Sequence, residues 1–400
     1  MPTNERQNAR KAKKRRDEQR TKRIIWIVII LVAALLIVMK VMEIDINSIR
    51  NRFSGEEKSI SEVLMDNAYP YSLDSSKGVK VTAQNDKLNI LTDVSCTVLN
   101  PTDAAVLYHF SHGYANPIMK AAGNYFVTFD QGANRLRLDT LNASVYETKT
   151  ENPILTANVA KNGNVIYAMK SSSSKSTVVV INASLKKLTE FEVNDGYVVL
   201  TAIDPAGKRC AYATVNTKNA KLVTTVYTIN IGDDKERAHF DFEGTDLLDL
   251  RYCASDLYII GNDCVSTVTS QKKQHEVFKK GDVNTVCFNY TSNGELVYVY
   301  SKYSAANENY LAHISPTGKV GVTVELNQKP KYVSSSSNEM TVLLPDKIVT
   351  YSITKGDKRA ETDCDDSLSS VHKLSTKCFV CRHQLIDVVE QKKIPNEKKA

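Results

Sequence analysis

Four groups of side chains in this chain of 400 residues have types and spacings that could do chemistry. His109 and His112 form a His-x-x-His, a candidate pair of metal ligands. On a strand, positions i and i+3 point to opposite faces, so two ordinary histidines are expected instead. Glu361-Thr-Asp-Cys-Asp-Asp366 crowds carboxylates into six residues and raises the question of calcium. A calcium loop alternates its oxygen donors and turns at a glycine; this segment does neither, and a solvated acidic turn is expected. Cys378 and Cys381 have the spacing of a redox Cys-x-x-Cys. That motif belongs at the start of a helix, whereas on one extended strand the two thiols diverge. The 19 tyrosines could stack on sugar rings. Most, among them Tyr167, Tyr212, Tyr258 and Tyr298, lie inside apolar runs, where packing accounts for them. None of these groups makes a catalytic, metal-binding or cofactor-binding set, and no cofactor is expected.

The remaining cysteines are Cys96, Cys210, Cys253, Cys264, Cys287 and Cys364, which brings the count to eight. An even number outside the membrane would permit disulfides. Cys210, Cys287, Cys378 and Cys381 nevertheless sit where a small apolar residue would serve, so mostly free, buried thiols are expected. Asn142, Asn182 and Asn289 each open an Asn-x-Ser/Thr sequon. The first two fall in a recurring turn and the third at a strand end, which explains them without a glycan.

The element that positions everything else lies near the N-terminus. Residues 24–42 are apolar except for Lys40, and about 20 residues of helix cross a bilayer. Ten Lys and Arg precede them against three acids, which keeps the N-terminus cytoplasmic and the rest outside. The stretch is longer than a signal-peptide core, and no small-x-small cleavage site follows; an uncleaved signal anchor is expected. Beyond residue 23 basic and acidic residues balance at 42 each. A neutral outer part has no electrostatic footprint for nucleic acid, so that class of partner is excluded. The expected order is a basic cytoplasmic tail (1–23), the transmembrane anchor (24–42), a connector (43–68), one globular domain (69–391) and a Lys-rich tail (392–400).

In the globular part Val, Ile, Thr and Tyr dominate and no helical period persists, which reads as all-β. One set of runs is apolar at both parities, as in strands covered on both faces. It comprises Leu88-Asn-Ile-Leu91, Tyr125-Phe-Val-Thr-Phe129, Val165-Ile-Tyr-Ala-Met169 and Cys210-Ala-Tyr-Ala213. Leu257-Tyr-Ile-Ile260, Leu296-Val-Tyr-Val-Tyr300, Met340-Thr-Val-Leu-Leu344 and Cys378-Phe-Val-Cys381 continue it. Turn chemistry such as Asn162-Gly163, Asn293-Gly294 and Asp204-Pro-Ala-Gly207 precedes most of them. A second landmark follows about one hairpin later, as at Asn142-Ala-Ser144, Asn182-Ala-Ser184, Ser315-Pro-Thr-Gly-Lys319 and Thr354-Lys-Gly-Asp357. The period of roughly 40 to 50 residues is that of four-stranded propeller blades. Eight blades fit, with seven the alternative. The last blade lacks a fourth strand, and the orphan strand Tyr69-Pro-Tyr-Ser-Leu-Asp74 would complete it, removing two exposed edges at once.

Ile203-Asp-Pro-Ala-Gly-Lys-Arg-Cys-Ala-Tyr-Ala213 resembles the Pro-Asp-Gly-Lys hairpin of WD40-like propellers, and Ala312-His-Ile-Ser-Pro-Thr-Gly-Lys319 is similar to the turn of quinoprotein-like repeats. The layout also resembles an uncharacterised family of single-pass membrane proteins from Firmicutes with degenerate propellers. That resemblance implies a cell-envelope protein and carries no activity. Quinoprotein dehydrogenases need tryptophans, and none follows Trp26; sialidase boxes and the Trp-Asp of true WD40 blades are missing too.

The functional expectation is a membrane-tethered, extracytoplasmic propeller that binds or scaffolds a protein or an envelope polymer. The alternative is a glycan-acting hydrolase or lyase with carboxylates at the channel. Polar loops at Ser171-Ser-Ser-Ser-Lys175, Thr217-Lys-Asn-Ala-Lys221 and Ala305-Ala-Asn-Glu-Asn309 offer binding positions. The first four innermost strands contain little but small residues (Met119-Lys-Ala-Ala122, Leu155-Thr-Ala-Asn158, Leu200-Thr-Ala-Ile203), which suits packing around an axis better than a reactive funnel.

Overall fold

The computed structural model of the chain describes residues 69–233, 236–302 and 308–394. The expected tail, anchor and connector (1–68) lie outside the described residues, as do residues 395–400. Among the described residues no helix is long and apolar enough to cross a membrane.

The strands make eight antiparallel sheets, each built on four strands that follow one another in sequence, with the last sheet closed differently. Blades 1 to 8 span residues 80–111, 117–149, 154–193, 197–243, 247–278, 284–326, 332–363 and 370–389. Strands are lettered a to d from the central channel outward. The eight apolar runs recognised in sequence are the b strands, Val165–Lys170 in blade 3 and Leu296–Ser301 in blade 6 among them, and these two are almost wholly buried. Each b strand is flanked by a and c within its own sheet and covered on both faces by neighbouring blades, which is why its apolar residues occur at both parities. The second landmark is the turn between strands c and d: Asn182, for example, accepts the amides of Ser184 and Lys186 at 2.9 Å each.

Eight apolar clusters fill the eight seams between blades. Val127, Leu136 and Leu138 of blade 2 meet Ile154, Val165 and Val179 of blade 3 in one of them. Truncating one such side chain costs about 2–5 kcal/mol, so stability is spread around the ring. A recurring amide reinforces the inner seams. Gln84 Nε2 donates to Gly123 and Tyr125 carbonyls at 2.8 Å, Asn158 Nδ2 to Thr201 O at 3.0 Å and Asn289 Nδ2 to Val333 O at 3.0 Å. Each pins an a strand to the backbone of the next blade.

Blade 8 supplies strands a to c (Ser370–Leu374, Lys377–Arg382, Leu385–Val389), and its d strand is Tyr71–Ser72 from the start of the domain. Tyr71 pairs with Ile386 and Ser72 with Leu385. Tyr69 packs its ring 5.3 Å from Phe379, and Thr92 of blade 1 donates to Asp74 at 2.9 Å. The expected closure is therefore present. The chain end then does something the sequence had not suggested: Lys392–Lys393 adds a fifth strand to the outer edge of blade 7, pairing with Glu361 and Ala360. Ordered structure thus continues past Gln391, where the propeller had been expected to end.

The other groups singled out in sequence have structural partners. His109 Nδ1 lies 2.9 Å from Thr97 Oγ1, and His112, beyond the end of the same strand, places Nε2 3.2 Å from Thr92 O. The acidic turn is charge-matched: Glu361 to Lys347 and Lys358, Asp365 to Arg382, Asp366 to Lys331. All eight cysteines are free. Cys378 and Cys381 join different seams on opposite faces of their strand. Tyr212 stacks on Tyr227 at 5.0 Å and Tyr298 on Phe278 at 5.9 Å.

Candidate functional site at the channel mouth

The a–b and c–d turns lie on one face of the ring, here the hairpin face; the b–c turns and blade-to-blade connections lie on the other, the loop face. The channel opens on the hairpin face into a cavity of about 970 Å³. Its walls come from seven of the eight blades and from the C-terminal strap, through Gln391, Lys393 and Ile394. A side lobe of about 230 Å³ reaches toward blade 4 at Ala202, Ile203 and Pro205. Ala122, Lys161, Arg251 and Ser292 line both, so two cations stand at the junction of the lobes.

Local sequence explains how these side chains arrive there. Lys161 occupies the a–b turn of blade 3, where Gly163 takes a φ of 85° and a Cβ would press on the Tyr125 ring. Arg251 projects from the a strand Leu247–Cys253 of blade 5. Its guanidinium lies 5.0 Å from the ring centroid of Tyr290, whose hydroxyl donates to Asp249 Oδ2 at 2.8 Å. Burial, and then the Asp249 charge, push the Tyr290 phenol well above its ordinary value, so it remains a donor. Lys120 of blade 2 reaches Asp249 at 3.5 Å. Blades 2 and 5 are not neighbours, so this ion pair crosses the channel and forms part of its floor. Partial desolvation and the Lys120 charge together hold the Lys80 ammonium below its usual range.

On the opposite wall Lys373 is 5% exposed, an uncommon state for a lysine. Its ammonium donates to Gln391 Oε1 at 3.1 Å and lies 3.5 Å from Glu339. The same Gln391 oxygen accepts from Thr350 Oγ1 at 2.8 Å and Cys378 Sγ at 3.1 Å. Burial pushes the Cys378 thiol up to about 11, so it is a neutral donor and not a nucleophile. The rest of the lining is hydroxyl and amide: Thr82, Asn85, Thr291, Ser335, Ser336 and Ser375 among others. Ser335 Oγ is buried there with no hydrogen-bond partner.

The arrangement is a polar, electropositive vestibule. Among the described residues no carboxylate pairs with Lys161 or Arg251, while Asp249 and Glu339 are each held by a lysine. The expectation of small, weakly polar inner strands fits blades 1 to 4 in outline. The a strands of blades 5 and 8 add Asp249, Arg251 and Lys373 to the lysines Lys80 and Lys120 of blades 1 and 2. The loops at residues 171–175 and 217–221 stand on the loop face, away from this cavity; residues 303–307 of the third loop lie outside the described residues.

The chain belongs to the family described as a family of unknown function, DUF5711, which matches residues 71–390. A search among curated proteins finds no match to the sequence. Similar solved structures include the computationally designed Ika8 protein, at 11% identity and TM-score 0.57, covering 81% of this chain and 99% of that one. Sqt1 of Saccharomyces cerevisiae is similar at 10% identity and TM-score 0.55, with 83% and 100% covered. BamB of Moraxella catarrhalis is similar at 7% identity and TM-score 0.50, with 83% and 99% covered. At these identities the likeness is one of fold and carries no function.

Proposed function

We propose that this member of the family is a membrane-tethered binding module of the cell envelope. In this reading residues 24–42 anchor the chain, residues 1–23 stay in the cytoplasm, and the propeller stands outside and holds a protein or envelope polymer at its channel mouth. The observation that carries it is the vestibule, a cavity of about 970 Å³ with Lys161 and Arg251 facing it. Ligand sites are concave, few, and marked by a small number of convergent polar groups. The entry of the chain adds support. Strand Tyr71–Ser72 runs antiparallel to Leu385–Val389, so the chain enters at the outer rim of the ring from the hairpin face, the face on which the vestibule opens.

The glycan-acting alternative needs two carboxylates flanking one bond. Glu339 is engaged with Lys373, and Asp249 on the channel floor with Lys120 and Tyr290. Asp86, in the blade 1 turn, is left as a single carboxylate where this chemistry needs two, which favours binding over turnover. The test uses intact, wall-stripped cells expressing the full chain with an N-terminal tag. Added protease should digest the part after Met42 and spare the tag; protection of the propeller would overturn the topology. Reproducible glycan turnover by the purified chain, lost on Glu339→Gln, would overturn the binding role.

A further inference from the structure

We infer that the vestibule takes a flexible polyol phosphate chain, a run of hydroxylated carbons joined by phosphodiesters, with phosphate at the junction of the two lobes. The inference rests on reading the vestibule as the working site, and is independent of the tether. Three observations carry it. First, Lys161 and Arg251 wall both lobes, so a group at the junction meets an ammonium and a guanidinium together. A guanidinium presents paired donors that match the oxygens of a phosphate, and a lysine adds a compact charge. Lys120 and Lys80 lie along the same channel and keep its potential positive, since Asp249 balances only one of them.

Second, the larger lobe is lined by hydroxyls and amides, Thr82, Asn85, Thr291, Ser336 and Ser375 among them. Hydroxyls and amides both donate and accept, and a polyhydroxylated ligand can exchange hydrogen bonds with such a wall. Third, the larger apolar side chains gather in the small side lobe, at Val159, Ile203, Pro205 and Leu250, and the larger lobe has no open aromatic platform for a sugar ring. Its one aromatic residue, Tyr290, already has Arg251 against its ring. Peptide partners are anchored by buried aromatic and aliphatic groups, and the larger lobe, whose apolar lining is alanines with Leu374 and Ile394, has no pocket that would seat those anchors. An acyclic hydroxylated chain needs none. The volume exceeds that of one glycerol phosphate unit, so several units are expected.

The test is calorimetric titration of the full-length chain in neutral detergent. The probe is a synthetic trimer of glycerol phosphate. Saturable binding at one site is expected, at least tenfold tighter than sn-glycerol 3-phosphate or inorganic phosphate. Lys161→Gln and Arg251→Gln should each weaken it at least tenfold. Lys187→Gln, on the outer strand of blade 3, should leave it unchanged. Lys161 sits in an exposed turn, so that variant is informative even if Arg251→Gln folds poorly. Unphosphorylated triglycerol should not bind. A short-chain phosphatidylglycerol carries the same headgroup chemistry from a lipid source and should bind more weakly than the trimer. Tighter binding of that lipid, or of hexaglutamate, would overturn the polyol chain in favour of a membrane or a peptide. An absence of saturable binding, or binding indifferent to both substitutions, would overturn the site itself while leaving the protease topology result untouched.

Discussion

The seam between blades 3 and 4 and the seam between blades 7 and 8 are built in different ways. In the first, eleven buried residues including Ile166, Val178, Val180, Val198 and Tyr212 make one apolar cluster. Asn158, Asn162 and Asn164 donate across it to Thr201, Ala206 and Gly207 carbonyls at 3.0, 3.0 and 3.3 Å. Gly207, at a φ of 65°, leaves room for the two asparagines; any Cβ there would collide with their amides. In the second seam the apolar cluster has six buried residues, and polar groups fill the remainder. Lys373 and Gln391 share a hydrogen bond, Thr341 bonds Thr350 at 2.8 Å, and His372 lies edge-on to Tyr332 at 5.2 Å. Apolar contact is non-directional and tolerates small shifts, whereas a buried polar network must be satisfied as a set. The ring is thus held by adaptable seams in its middle and by an exacting one near the meeting point of its two ends.

The harshest way to break this comparison is to remove the closing strand. Deleting residues 69–74 from the full-length chain strips Tyr69, Tyr71 and Leu73 from the blade 8–blade 1 cluster and bares two edges. A loss of at least about 4 kcal/mol is expected from the packing alone, read as a drop in the urea midpoint. An unchanged midpoint would mean that closure contributes nothing.

Acid should single out the polar seam next. Burial holds the His372 imidazole down to about 4, against the ordinary 6.5 of an unfolded histidine. Between these values the unfolded chain binds the extra proton, so the contribution of a neutral His372 is complete above about 6.5 and disappears as pH falls toward 4. The difference amounts to about 3 kcal/mol. The melting temperature should fall across that window, and His372→Phe should flatten the decline; an equal decline in both proteins would move the acid sensitivity elsewhere.

A smaller effect sharpens the contrast. Gln391→Ala leaves Thr350, Cys378 and Lys373 without their shared acceptor and should cost about 2–3 kcal/mol, whereas Asn158→Ala removes the partner of the Thr201 carbonyl and of the Val159 amide and should cost about 1–2 kcal/mol. Chemical denaturation of both variants tests the ranking, and the reverse order would contradict it.

The parts of this fold that sequence makes legible are those that repeat. Runs such as Val165-Ile-Tyr-Ala-Met169 are apolar at both parities because blades cover both faces of each b strand, and turns such as Asn142-Ala-Ser144 and Asn182-Ala-Ser184 mark the return at the outer edge of blades 2 and 3. The closing strand was legible as the one segment that completes a blade count. The site was not. Lys161, Arg251 and Lys373 converge from blades 3, 5 and 8, and nothing in a linear reading brings residues so far apart to one mouth. The inner strands of blades 1 to 4 are mostly small residues, and they carry no hint of the charges on blades 5 and 8. Gln84, Asn158 and Asn289 do carry a trace of the period, since each reaches a carbonyl about one blade ahead, at separations of 39, 43 and 44 residues. Their side chains vary and other blades use other donors, which hides the regularity. The strand at Lys392–Lys393 resembled a solvated tail because its two residues contribute backbone pairing and no apolar pattern.

Ser72 pairs with Leu385, 313 residues further along. A ribosome adding roughly 5–20 residues per second needs roughly 15 to 60 s to make that stretch. The first strand of the domain is therefore the last to find its partner, and every newly made copy exists for that time as an open arc, with blade 1 uncovered on the side that blade 8 will occupy. Ring closure in this protein waits for the last blade to be made, and translation speed sets how long the unfinished edge is offered to its surroundings.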